Sequence, residues 1–137
     1  MGTSIPDPLA PDPMAAIDAM ELTAFRVAQT ARQLRRDHPD LGIYDMLPGS
    51  VSIGRAELDI HASDVDAALA WATALGAKAK HELGDYAPET VFERVTATAD
   101  VSGVKVVVYA QRMLTAAEVA HFRAQQAGQD QAVRRAA

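Results

Sequence analysis

The most constraining stretch of this chain is a pair of β-branched runs, Val91–Val101 and Val104–Gln111, flanking Ser102-Gly103. Two such runs separated by two residues of that type specify an antiparallel hairpin, because a tight turn with positive φ matches the twist of its strands. In the second run Val104, Val106 and Val108 face one way, and Lys105, Val107 and Tyr109 the other. The first set is a core face. Val107 and Tyr109 put apolar surface on the opposite face, which implies cover by the first helix or by another subunit.

The rest of the chain must supply what packs on that hairpin. Arg55–Ala62 alternates Ala56, Leu58, Ile60 and Ala62 with Arg55, Glu57, Asp59 and His61, the period of a half-buried strand with a charged outer face. Ser63 is expected to cap a helix with Asp66 reaching back. That helix buries Val65, Ala68, Leu69, Ala72 and Leu75 and ends at Gly76. Ala77–Leu83 reads as a short strand and Gly84–Thr90 as loop.

Upstream, Met14 to Asp37 carries Ile17, Met20, Ala24, Val27, Ala28, Ala31 and Leu34 on one helical stripe. Asp12 or a neighbour starts the helix and His38-Pro39 stops it. Leu22 and Phe25 lie off the stripe and mark a second surface. Residues 39–50, rich in Pro, Gly and Asp, read as a connector. Thr115 and Glu118 form a capping box, with Leu114 and Val119 as its hydrophobic staple, for a last helix to about Ala127.

The expected architecture is therefore α+β: a long N-terminal helix, then a β-α-β-β-β small antiparallel-rich sheet, then a C-terminal helix. Residues 1–13, with Pro6, Pro8, Pro11 and Pro13, are expected to form a disordered arm. Residues 14–127 form a single domain and 128–137 a frayed tail.

At 137 residues the chain suits one modest core. Its cysteine count is zero, which removes disulfides and thiolate chemistry. No apolar run reaches the roughly 18 residues of a membrane span, and no basic region precedes an apolar core at the N-terminus. A cytoplasmic protein without membrane association is expected. The net charge is −5, which disfavours nucleic acid unless positive charge is gathered on one face. Arg26, Arg32, Arg35 and Arg36 are the gathering that would serve, although arginines also suit a helix C-terminus.

Motifs with chemistry are sparse. The chain has no G-x-G-x-x-G, phosphate-binding loop or G-x-S-x-G. Glu57, Asp59 and His61 share one strand face and are the candidates for a ligand or metal; a carboxylate beside an imidazole is a common general-base arrangement. His38, His81 and His121 stand apart in sequence and read as surface or capping residues. Trp71 reads as a core anchor, with an interface as the alternative. No catalytic residue and no cofactor is expected.

Two resemblances bear on the same residues. The run from Arg55 to Gln111, with D-x-x-A-A-L-A-W-A-x-x-L-G-A in its helix, resembles one half-module of the vicinal-oxygen-chelate (glyoxalase-like) fold. That family pairs two modules around a metal held by His and Glu. In this chain Arg55 or Glu57 stands near the first ligand position, and Gln111 near the end of the last strand. Residues 53–115 resemble small uncharacterised proteins of high-GC actinobacteria and their phages or integrative elements. The likeness lies in packing residues and implies fold and lineage.

The expected function is a non-enzymatic interaction or regulatory module acting as a homo-oligomer, with a host or phage protein as a further partner. Its interface candidates are Leu22, Phe25, Trp71, Val107 and Tyr109. The alternatives are a glyoxalase-like small-molecule or metal-binding protein, and a nucleic-acid-associated protein acting through the arginine-rich helix.

Overall fold

The computed structural model describes residues 12–52, 55–87 and 89–136. The elements run α1 (Ala15–Asp37), β1 (Ile43–Ser52), β2 (Arg55–Ala62), α2 (Val65–Ala74), β3 (Lys80–Ala87), β4 (Thr90–Val101), β5 (Val104–Met113) and α3 (Ala116–Ala136). The α+β class and the helix-first order agree with the sequence reading. The Pro-rich arm falls almost wholly outside the described residues.

One five-stranded sheet has the order β1-β2-β5-β4-β3. All neighbours are antiparallel except β2 and β5, which run parallel in a register that sets Leu58 beside Val106 and Ile60 beside Val108. The hairpin of β4 and β5 turns at Ser102 and Gly103, with φ of 52° and 82°. Both residues are left-handed, as a tight hairpin turn of this twist requires.

α1 and α2 lie on the same face of the sheet. Val27 and Leu34 of α1, with Val65, Ala68, Trp71 and Ala72 of α2, join Leu58, Ile60, Val95, Ala97, Val106 and Val108 in one buried cluster. Trp71 is fully buried, and its indole N–H donates to the Gly42 carbonyl at 3.2 Å. His38 meets its ring edge-on at 5.5 Å, so one side chain ties α2 to the segment linking α1 and β1. Gly42 also sits so close to Ser63 that a Cβ would collide with it, which explains the glycine there.

Several local readings change. Most of the connector read at 39–50 belongs to strand β1, paired with β2 as an edge strand. Pro48 disguises it: proline interrupts a central ladder but is tolerated at an edge, and the pairing here shifts register between Pro48 and Val51. The expected loop after Leu83 is also strand, because β4 is long enough to template β3 as far as Ala87. The cap of α2 is Asp64 rather than Ser63, its carboxylate accepting from the Ala67 amide at 2.7 Å. α3 continues beyond Ala127 to Ala136. Gly128 faces open space, and an exposed helical glycine costs only about 1 kcal/mol. Among the described residues no helix is long and apolar enough to cross a membrane.

Candidate functional site

The first helix is anchored at one end only. Its buried residues are Val27, Thr30 and Leu34, all in the C-terminal half. Met14, Ile17, Met20, Leu22 and Phe25 are each between 43% and 55% exposed. Leu22 and Phe25 are thus exposed on the surface of the subunit. Trp71 is not: it lies inside its own subunit, the core anchor of its sequence reading, and leaves the set of interface candidates.

Val107 and Tyr109 lie half-buried on the sheet face opposite the helices. The first helix does not cover them, since it packs through Val27 and Leu34 on the other side. Their strand neighbours are the metal candidates, and that row does not converge. Glu57 lies 3.5 Å from Lys105 Nζ. His61 Nδ1 lies 2.7 Å from Asp45 Oδ1, in a contact too poorly directed to satisfy that buried oxygen with a hydrogen bond. Its ring stands edge-on to Tyr109, whose hydroxyl donates to Gln111. Among the described residues no three His, Cys, Asp or Glu side chains are placed to hold a metal ion.

Asp59 is the strained member of this row. Burial, and then the charge of Glu57, push its carboxyl above the ordinary value. A raised folded value means that ionised Asp59 opposes folding, so stability rises as pH falls through that value. Asp59→Asn is expected to stabilise the protein at pH 7 by up to roughly 0.5 kcal/mol, the scale of partly exposed substitutions. Paired urea denaturations at pH 7 check this, and a loss of stability contradicts it.

Of the arginines, Arg26, Arg32 and Arg36 line a polar cleft of about 570 Å³ with Phe25 and Gln29 that reaches Ser102 at the hairpin turn; Arg35 lies outside it.

A more organised set of charges lies beneath α3. The register Leu83–Glu93 and Glu93–Arg112 aligns β3, β4 and β5 on the helix-bearing face. His81 Nε2 is 2.8 Å from Glu93 Oε1. Arg112 donates from Nε to Glu93 Oε2 at 2.7 Å, and from Nη1 and Nη2 to the Glu118 oxygens at 2.9 and 2.7 Å. Glu118 Oε1 also accepts from the Thr115 amide at 3.1 Å, and Thr115 Oγ1 accepts from the Glu118 amide at 3.3 Å. The capping box read from sequence is therefore present, and its carboxylate doubles as a clamp on Arg112.

These groups floor an open groove of about 650 Å³, walled by Leu83, Leu114 and Phe122, with His121 at its side. Sequence reading set His81 and His121 apart; the fold brings both to this groove. Glu93 and Arg112 are 19 positions apart and meet only through strand register, so no spacing motif marks them. The capping box was the one visible signal.

Hydrogen bonds from Arg112, then from the Thr115 amide, draw the Glu118 carboxyl from 4.5 down to about 2. A depressed value stabilises the fold above the ordinary value and loses that effect as pH falls. The first turn of α3 is thus expected to loosen between pH 4.5 and about 2, monitored through the Thr115 and Glu118 amide resonances. Glu118→Gln should remove this transition and leave that turn loosened at pH 7; an unchanged acid transition in the variant contradicts the assignment.

No family model, curated protein or solved structure matches this chain.

Proposed function

We propose that the protein is a self-associating interaction module whose first helix completes its burial against a second copy of the chain. The observation that carries this is the mismatch between the length of the α1 stripe and the length its own domain covers. Ile17, Met20 and Ala24 continue the line of Val27, Ala31 and Leu34, yet only the later residues find a core. Met14 and Phe25 widen the apolar arc, and Leu22 adds to it from the far side. An apolar stripe that runs beyond the core beneath it leaves its free half to be covered by something else.

A second copy is the occupant that this geometry favours. The free half prolongs an interface already made within the subunit, and an identical half on another copy offers the same apolar length. Pairing the two about a twofold axis is self-complementary and closes the assembly. The sheet face bearing Val107 and Tyr109 is the weaker candidate, because Lys105, Glu57, Asp59 and His61 interleave charge with its apolar residues.

Size-exclusion chromatography with light scattering, run on the full chain at several concentrations and at high salt, tests the reading. A dimer or larger species that persists in high salt is expected of an apolar contact. A monomer throughout overturns it. Association that salt dissolves would place the contact on the charged surfaces instead.

A further inference from the structure

The groove beneath α3 carries an inference independent of self-association through α1. The geometry points to a binding site for a small organic cation, an amine attached to an aromatic or branched aliphatic body.

Its volume of about 650 Å³ lies within the range of small-molecule sites. Its walls are apolar, and Leu83 remains 45% exposed although it faces the helix-bearing side of the sheet. Its floor is polar and fixed. Glu93 is only 14% exposed and is held from two sides, by His81 and by Arg112. Glu118 is held by Arg112 and the Thr115 amide.

The charge balance decides which ligand suits this floor. Two carboxylates, Glu93 and Glu118, share the single guanidinium of Arg112, while Glu82 at the rim is engaged by Lys80 at 3.7 Å. Arg112 directs its Nε, Nη1 and Nη2 groups at those two carboxylates, so it has little left for an incoming anion. A carboxylate ligand would enter against an excess of negative charge. An ammonium group would meet oxygens that retain accepting capacity, while its apolar body lay along Leu83, Leu114 and Phe122. Charge-assisted hydrogen bonds of this kind are among the stronger polar contacts. The network from Glu118 through Arg112 to Glu93 holds the acceptors in place before a ligand arrives, which lowers the ordering cost of binding.

The test uses three probes of similar shape and different charge: phenethylamine, phenethyl alcohol and phenylacetate. Each is titrated into the full chain while backbone amide resonances are followed. Phenethylamine is expected to move the Leu83, Arg112 and Phe122 signals saturably and to bind about tenfold or more tightly than the alcohol, with phenylacetate weakest. Glu93→Gln should weaken the amine about tenfold and leave the alcohol nearly unchanged; Phe122→Ala should weaken both.

The proposal is overturned if phenylacetate matches the amine, if the amine acts elsewhere, or if no probe saturates by about 10 mM, which is weak even for a fragment. It is also overturned if Phe122→Ala changes the mass in solution and not amine binding, since the groove would then be a subunit contact. The charge series on the unaltered chain decides the matter even if a variant fails to fold.

Discussion

Replacing Trp71 by alanine is expected to lower the unfolding free energy by about 3–5 kcal/mol, the range for truncating a buried aromatic side chain. The side chain is fully buried within the core cluster, on the helix that packs against β2, β4 and β5. Removing it leaves a void between α2 and the sheet, and deletes the hydrogen bond to Gly42. The Gly42 carbonyl still accepts from the Ser63 amide at 3.3 Å, so it is not left without a donor. Trp71→Phe should accordingly cost less, about 1–2 kcal/mol, from the smaller void and one lost bond. A total stability of about 5–15 kcal/mol is usual for a domain, so the alanine variant should be close to unfolding. The count of tryptophans is one, so fluorescence disappears with it and urea unfolding must be followed by circular dichroism. A loss below about 1 kcal/mol would contradict a packed Trp71.

The second large effect concerns assembly. Ile17→Glu combined with Met20→Glu is expected to weaken self-association at least about 100-fold, or about 2.8 kcal/mol. Both residues are about half exposed within one subunit, so the change should alter monomer stability by under about 1 kcal/mol. In an apolar helix pairing, however, each new carboxylate would be desolvated without a partner. Val107→Ser serves as the contrast: it alters the opposite face of the sheet and should leave association unchanged. If Val107→Ser disperses the assembly and the α1 variant does not, the interface lies on the sheet.

How much of this was legible in the sequence differs by element. The β4–β5 hairpin was legible because its alternation and its turn obey short-range rules: Val104, Val106 and Val108 point inward and Ser102-Gly103 takes left-handed φ. β2 was legible for the same reason. Of the two edge strands β1 was missed and β3 was read only as far as Leu83, because an edge strand need satisfy its partner on one side only. β1 accommodates Pro48 and β3 accommodates Gly84, residues that a local reading assigns to turns. The length of α3 was misjudged because Gly128 carries a stop signal that an exposed helix overrides at small cost.

The candidate surfaces follow the same logic. Leu22 and Phe25 stood out because helical periodicity is local. The set of His81, Glu93, Arg112 and Glu118 did not, because its members come from three strands and a helix and are joined by register alone. Glu57, Asp59 and His61 showed the opposite failure. They share a strand face as expected, but Lys105 and Asp45 engage two of them from neighbouring strands.

The claim that α1 completes its burial on a second copy is tested most directly by isotope-filtered NOE spectroscopy on a mixture of labelled and unlabelled chains. The account predicts intermolecular NOEs from the methyl groups of Ile17 and Met20 to protons of the unlabelled copy. Dimeric protein that shows no such NOEs at either residue would contradict it.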